Sequence, residues 1–186
     1  IVKKRSGSSY DESWYVYHHA LGNTHALGLN STGGSSDVNV WNDTTPTSSV
    51  FSVGNDSTNR SGNEFVAYCF AEKTGYSKFG TYTGNGSADG TFVYTGFKPA
   101  IVIIKKHTAT EYWGMLDNKR NTFNSVDKYL APNRTDAENT YTTLDFLSNG
   151  FKHKSTGAMF NTSGAGYIYM AFGQSLVGSN NIPATA

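Results

Sequence analysis

Three kinds of residue here have side chains suited to chemistry: a histidine cluster, carboxylates beside Asn-rich turns, and a set of tyrosines and tryptophans. His18 and His19 are adjacent, His25 follows, and Asp11, Glu12 and Asp37 flank them. A zinc site needs such ligands converging at about 2 Å on one ion. Read as part of a strand, adjacent histidines point to opposite faces. That predicts a solvated or interface cluster rather than a metal site. Asn42-Asp43 and Asn55-Asp56 are oxygen-rich turns of the kind that hold Ca²⁺ in lectins. Calcium takes six or more oxygens, whereas each turn supplies one carboxylate, and Asx residues form turns unaided. Calcium is thus the only cofactor with candidate ligands, and no cofactor is expected.

Hydrolysis of a glycosidic bond needs two opposed carboxylates, and Glu64, Glu111 and Glu138 stand apart in the sequence. Cys69 is the single cysteine, which excludes an internal disulfide. It aligns with Ala171 in the repeat described below, so it reads as a small buried residue and not as a nucleophile. There is no Gly-X-Ser-X-Gly elbow and no phosphate loop, and Gly84-Asn85-Gly86 reads as a turn. The expectation is a protein that is not an enzyme.

The aromatics are the better lead. Tyr10, Trp14, Tyr15, Tyr17 and Trp41, and later Tyr112 and Trp113, combine a flat apolar face with a polar edge. That combination suits both sugar rings and subunit contacts. Trp14 and Trp113 fall near equivalent strand positions and read as core. Trp41 has no counterpart in the second repeat and is assigned a surface contact. Trp41, Tyr10 and Tyr112 form the candidate ligand-binding set.

The chain that must position these groups repeats itself. Ile1-Val2-Lys3-Lys4 returns as Ile103-Ile104-Lys105-Lys106, and the run from Asn59 to Phe70 returns from Asn161 to Phe172. Both matches share one offset, 102 residues (103 − 1 and 161 − 59). A constant offset marks two copies of one supersecondary unit. The units are expected at 1–79, lacking its opening strand, and at 80–172, complete. Residues 173–186 form a tail that covers a sheet edge or meets a neighbour. An uncovered edge would be an aggregation liability.

Short β-prone runs bounded by Gly, Asn and Ser fill the rest. Strands are expected at 14–17, 37–41, 49–53, 64–70, 91–97, 100–106, 112–116, 142–147, 150–154 and 166–172. Ser148-Asn149-Gly150 is expected to turn a hairpin through positive φ. Only 18–28 and 118–130 have room for a helical turn. Ile101–Ile104 and Tyr167–Phe172 are apolar on both faces, as suits central strands pressed between layers. The fold class is all-β, a β-sandwich of the jelly-roll type built from two duplicated units.

Composition narrows the function classes. Lys and Arg number 15 against 14 Asp and Glu, a formal charge of +1, which gives no electrostatic footprint for nucleic acid. Aromatics at 14% separate the chain from disordered sequences. No apolar run approaches the ~18 residues of a membrane helix. Seven Asn-X-Ser/Thr triplets, such as those at Asn30 and Asn161, are what chance gives in a chain this rich in Asn, Ser and Thr.

The stretches Gly80–Ser87, Phe92–Pro99, Val102–Lys106, Trp113, Asp117, Leu130–Asn133, Leu144–Phe151, Asn161–Gly164, Tyr167–Phe172 and Gly173–Pro183 resemble a repeat module of tail-fibre and other structural proteins of tailed phages, marine ones in particular. The resemblance implies a concanavalin-A-like, lectin-type β-sandwich in a virion protein, with no known chemistry and no functional residue to carry over. It implies no specific receptor; a neutral surface rich in Asn, Ser, Thr and Gly is expected to serve a homo-oligomer, a trimer, on the virion surface, partnered by other virion proteins or a host-surface glycan. The alternatives are a purely structural capsid decoration or strand-exchanged polymer subunit, and a glycan-degrading enzyme.

Overall fold

The computed structural model describes residues 1–7 and 13–174. Strands make up 40% of it and helix 7%, so the protein is all-β. Five strands come first: β1 (Val2–Ser6), β2 (Trp14–Val16), β3 (His25–Gly28), β4 (Ser36–Asp37) and β5 (Glu64–Ala67). They form one antiparallel sheet in the order β4-β3-β2-β1-β5. Eight follow: β6 (Ser77–Thr83), β7 (Phe92–Tyr94), β8 (Pro99–Lys106), β9 (Trp113–Asp117), β10 (Val126–Leu130), β11 (Asn139–Leu147), β12 (Gly150–His153) and β13 (Gly166–Gly173). Their order is β6-β13-β8-β9-β10-β11-β12-β7. This sheet curls nearly into a barrel, bringing Tyr82 of β6 against Phe151 and His153 of β12 at the far end. One-turn helices α1 (Asp56–Asn59) and α2 (Ala158–Asn161) precede β5 and β13.

Alternation sorts the side chains. Val102 and Ile104 of β8, with Tyr167, Tyr169 and Ala171 of β13, point into the barrel core beside Leu116, Leu144, Phe151 and Phe160. Their neighbours Ile103, Ile168, Met170 and Phe172 point outward, where Val16, Leu27 and Leu29 of the five-stranded layer cover them. β8 and β13 are therefore buried on both faces, as their unbroken apolar runs predict. They lie side by side, with Ile101 paired to Phe172 and Ile104 to Tyr169, rather than face to face.

Two pairings share a register. Val2 pairs with Ala67, Lys3 with Val66 and Lys4 with Phe65. Ile104 pairs with Tyr169, Lys105 with Ile168 and Lys106 with Tyr167. Each residue of the second set lies 102 positions after its partner in the first (104 − 2, 169 − 67), as do the bounds of α2 and α1 (158 − 56, 161 − 59). In both sheets a strand returns to lie beside the first of a hairpin series, β5 beside β1 and β13 beside β8, the arrangement of a Greek key.

Some local expectations give way to packing. Of 37–41 only Asp37 is in a strand, and 49–53 has none, because the chain there folds over the sheet without pairing. Residues 118–130 end in β10 and not in a helical turn. The hairpin pairs Leu147 with Gly150 across Ser148 and Asn149, and none of its residues has positive φ.

Candidate functional site

A groove of about 500 Å³ opens where the two layers meet. Val16, Met170 and Phe79 floor it, the 46–52 segment forms one wall, and Tyr68, Cys69 and Phe70 form the other. Val50, Phe51, Tyr68 and Phe70 are exposed large apolar groups, a concentration unlike the single exposed side chains of an ordinary surface. Phe70 also stacks edge-on against Phe172 of β13 at 5.7 Å, which ties this wall to the barrel layer.

The second wall continues β5, and β5 has a free side. Ile1 and Tyr68 exchange both backbone hydrogen bonds at 2.8 Å. In an antiparallel ladder such pairs alternate with pairs that point their N–H and C=O groups away. Phe65, Ala67 and Cys69 therefore turn their backbone groups outward, and among the described residues no strand lies there. On β13 the corresponding side is occupied, since β6 pairs with it from Ser77 to Thr83. Cys69 shows the effect. Its counterpart Ala171 is fully buried, but Cys69 is exposed because among the described residues no strand flanks it as β6 flanks Ala171, which corrects the expectation of a buried thiol.

One end of the groove carries the histidine pair. His18 and His19 sit at the entry to a 3₁₀ turn (His19–Leu21), not within a strand, so their rings stack at 4.9 Å instead of pointing apart. The Nδ1 of His18 accepts from Ala20 N–H at 3.3 Å, which leaves the proton on Nε2, 3.3 Å from the carbonyl of Tyr169 in the other sheet. Burial pulls this imidazole down to about 4. Among the described residues no three His, Cys, Asp or Glu side chains gather to hold a metal ion. A buried lysine crosses the same seam. Lys105 donates to the carbonyls of Thr32 at 2.9 Å and Glu111 at 2.7 Å, and burial brings it to about 8.

The sequence-assigned residues do not converge. Trp41 is only 3% exposed, so the expected open surface contact is corrected. Its Nε1–H donates to His25 O at 3.0 Å and its ring meets Tyr17 edge-on at 5.8 Å, leaving one side of it to line the groove. The cause lies in the next two residues. Asn42 and Asp43 both adopt left-handed φ, 52° and 45°, in a turn that folds Trp41 back over the sheet. The other Asx turn caps α1, with Asn55 Oδ1 accepting from Ser57 N–H at 3.1 Å. Tyr112 lies before β9 and is not part of the groove lining, with the Arg134 guanidinium 4.3 Å over its ring. Tyr10 and all but two residues of the 173–186 tail lie outside the described residues. Trp113 is fully buried and donates to Gly28 O at 2.9 Å across the layers, whereas Trp14 is half-buried. The groove itself had no sequence signal, because its lining comes from segments up to 169 positions apart.

A second cavity, of about 450 Å³, lies at one mouth of the barrel, where Lys98, Asn118, Lys119, Phe123 and Phe146 meet. Among the described residues no Asp or Glu lines either cavity.

The family described as a domain of unknown function (DUF7483) matches residues 1–175. The chain belongs to that family. No curated protein and no solved structure matches it. Within this DUF7483 domain, then, the groove, the free side of β5 and the barrel mouth are the places from which function must be argued.

Proposed function

We propose that this domain is a non-enzymatic structural module of a phage-type virion appendage, built by duplication and working by strand addition. The observation that carries the reading is the free side of β5, at the place where β13 holds β6. The shared register, the shared offset of α1 and α2, and the matching bonds that Trp14 N–H donates to Asn30 Oδ1 (3.0 Å) and Trp113 N–H donates to Asn133 Oδ1 (3.1 Å) all support two units of common origin. On that footing, an extended segment of a neighbouring polypeptide lies along Phe65–Cys69 with the chemistry of β6, and its apolar side chains fill the groove. Main-chain hydrogen bonds supply the affinity and the groove supplies the selectivity, as in other β-augmentation sites. The partner is another copy or another virion protein. A lectin-type sandwich presenting a sugar site is the second face of this reading, and the lack of carboxylates lining either cavity among the described residues favours both over acid–base hydrolysis of glycans.

The test uses a peptide of the β6 sequence, Ser77–Thr83, and the Ala67→Pro variant. Proline at 67 removes an outward N–H and leaves the β1 ladder intact, which edge strands tolerate. The peptide is expected to shift the amide resonances of 64–70 in the parent, and Ala67→Pro is expected to abolish those shifts and any self-association seen by sedimentation. Shifts that survive the proline would rule out strand addition at β5.

A further inference from the structure

We propose that the mouth of the barrel binds a carboxylated sugar, a function separate from strand addition at β5. The cavity there brings together the start of β8, the turn after β9 and the loop before β10. Its volume of about 450 Å³ is in the range of small-ligand sites.

Three features give it a ligand class. The first is unbalanced charge. Lys98 and Lys119 line it, and among the described residues neither is in an ion pair and no carboxylate lines it with them. The nearest acidic group in the sequence, Asp117, is already spent. One oxygen accepts from Lys119 N–H at 2.9 Å and Arg120 N–H at 2.8 Å, and the other meets the Arg120 guanidinium. The carboxylate that could neutralise the lysines instead holds the turn that presents one of them.

The second feature is a flat apolar face. Phe123 is 84% exposed, the most exposed large apolar side chain described. The third is that the loop bearing it is anchored. Asn124 Nδ2 donates to Phe146 O at 3.0 Å, and its Oδ1 accepts from Phe146 N–H at 2.9 Å, a two-way clamp onto β11. A ring on a clamped loop loses little freedom on binding, which is what a stacking platform requires. Ammonium groups for a carboxylate, an aromatic face for the C–H side of a pyranose and the Asn118 amide for hydroxyls together describe an acidic monosaccharide unit. A neutral sugar would leave the lysines unused, and a simple inorganic anion would leave Phe123 unused.

Methyl glucuronoside and methyl glucoside differ only in the carboxylate and serve as the probe pair. Titrated by NMR at low salt, the glucuronoside is expected to perturb the amides of 98 and 118–124 with millimolar affinity. The glucoside should bind at least ~10-fold more weakly, as loss of a charge-assisted contact implies. Lys98→Ala/Lys119→Ala should remove that preference, Phe123→Ala should weaken both sugars, and Phe123→Trp should restore binding. Ala67→Pro should leave all of this unchanged, so the two proposals fail separately. Equal response to both glycosides, or a glucuronoside response untouched by the double lysine variant, would overturn the assignment.

Discussion

His153 is the clearest anomaly among single residues. It is fully buried, rings of Tyr82 and Phe151 lie 4.6 Å and 5.5 Å away, and neither of its nitrogens has a hydrogen-bond partner. Burial drives it down to about 3. His18, at about 4, sits in the layer seam. For both groups the folded state resists the proton that the unfolded chain takes up near pH 6.5. Their stabilising contribution is therefore complete above pH 6.5 and declines as pH falls toward 4. While both titrate only in the unfolded chain, the slope approaches about 3 kcal/mol per pH unit, half from each. Protonating His18 also places a hydrogen on Nδ1, where Ala20 N–H now donates. Urea midpoints at pH 7 and pH 5 should show a marked acid loss in the parent. His153→Leu, which removes two orphaned nitrogens, should be at least as stable at pH 7 and about half as acid-sensitive. An unchanged pH dependence in that variant would show that His153 is solvated in a way its burial denies.

Elements fix what single residues are free to be. Gly114 of β9 has no room for a side chain, because a Cβ there would overlap the ring of Phe160 on α2. That contact seats α2 against the strands, and Tyr82 Oη–H fastens the same turn through Phe160 O at 2.7 Å. Gly114→Ala should cost about 1–3 kcal/mol by overpacking, measured by chemical denaturation. Gly114→Ala combined with Phe160→Leu should recover part of it, and a loss that the second change leaves untouched would place the strain elsewhere. Strands with unbroken apolar runs, such as β8 and β13, were legible in the sequence, because burial on both faces leaves an unambiguous composition. Trp41 was not. Its fate depends on two left-handed residues after it, and Asn-Asp is as compatible with an exposed turn as with one that folds a tryptophan inward. The histidine pair was misread for a related reason. A strand reading of Trp14–Tyr17 extends naturally to His18, and nothing local announces the 3₁₀ turn that breaks it.

At the scale of the whole molecule, both sheets return a strand beside the first of a hairpin series, but they differ in how much they bury. The barrel core gathers large buried side chains from Tyr82 through Ala171, whereas among the described residues the corresponding face of the five-stranded sheet buries only Val2, Ala26, Val40 and Trp41, with Tyr15, Tyr17, Val38 and Phe65 partly covered. Opening free energies follow buried apolar contact, and a region with less of it opens on its own before the molecule unfolds. The five-stranded sheet should therefore exchange its amides through a sub-global opening, with β2–β4 less protected than β8, β9 and β13. β8 and β13 should exchange only through global unfolding, because they form the wall both layers share. Native-state hydrogen exchange across a urea series checks this directly. Uniform opening energies in the two sheets would mean that the seam through Trp113, Lys105 and His18 couples them into one cooperative unit. If strand addition is the domain's work, the β6-sequence peptide should raise protection in β1 and β5 selectively. The weaker sheet would then be the half of the molecule left to be completed by its neighbour.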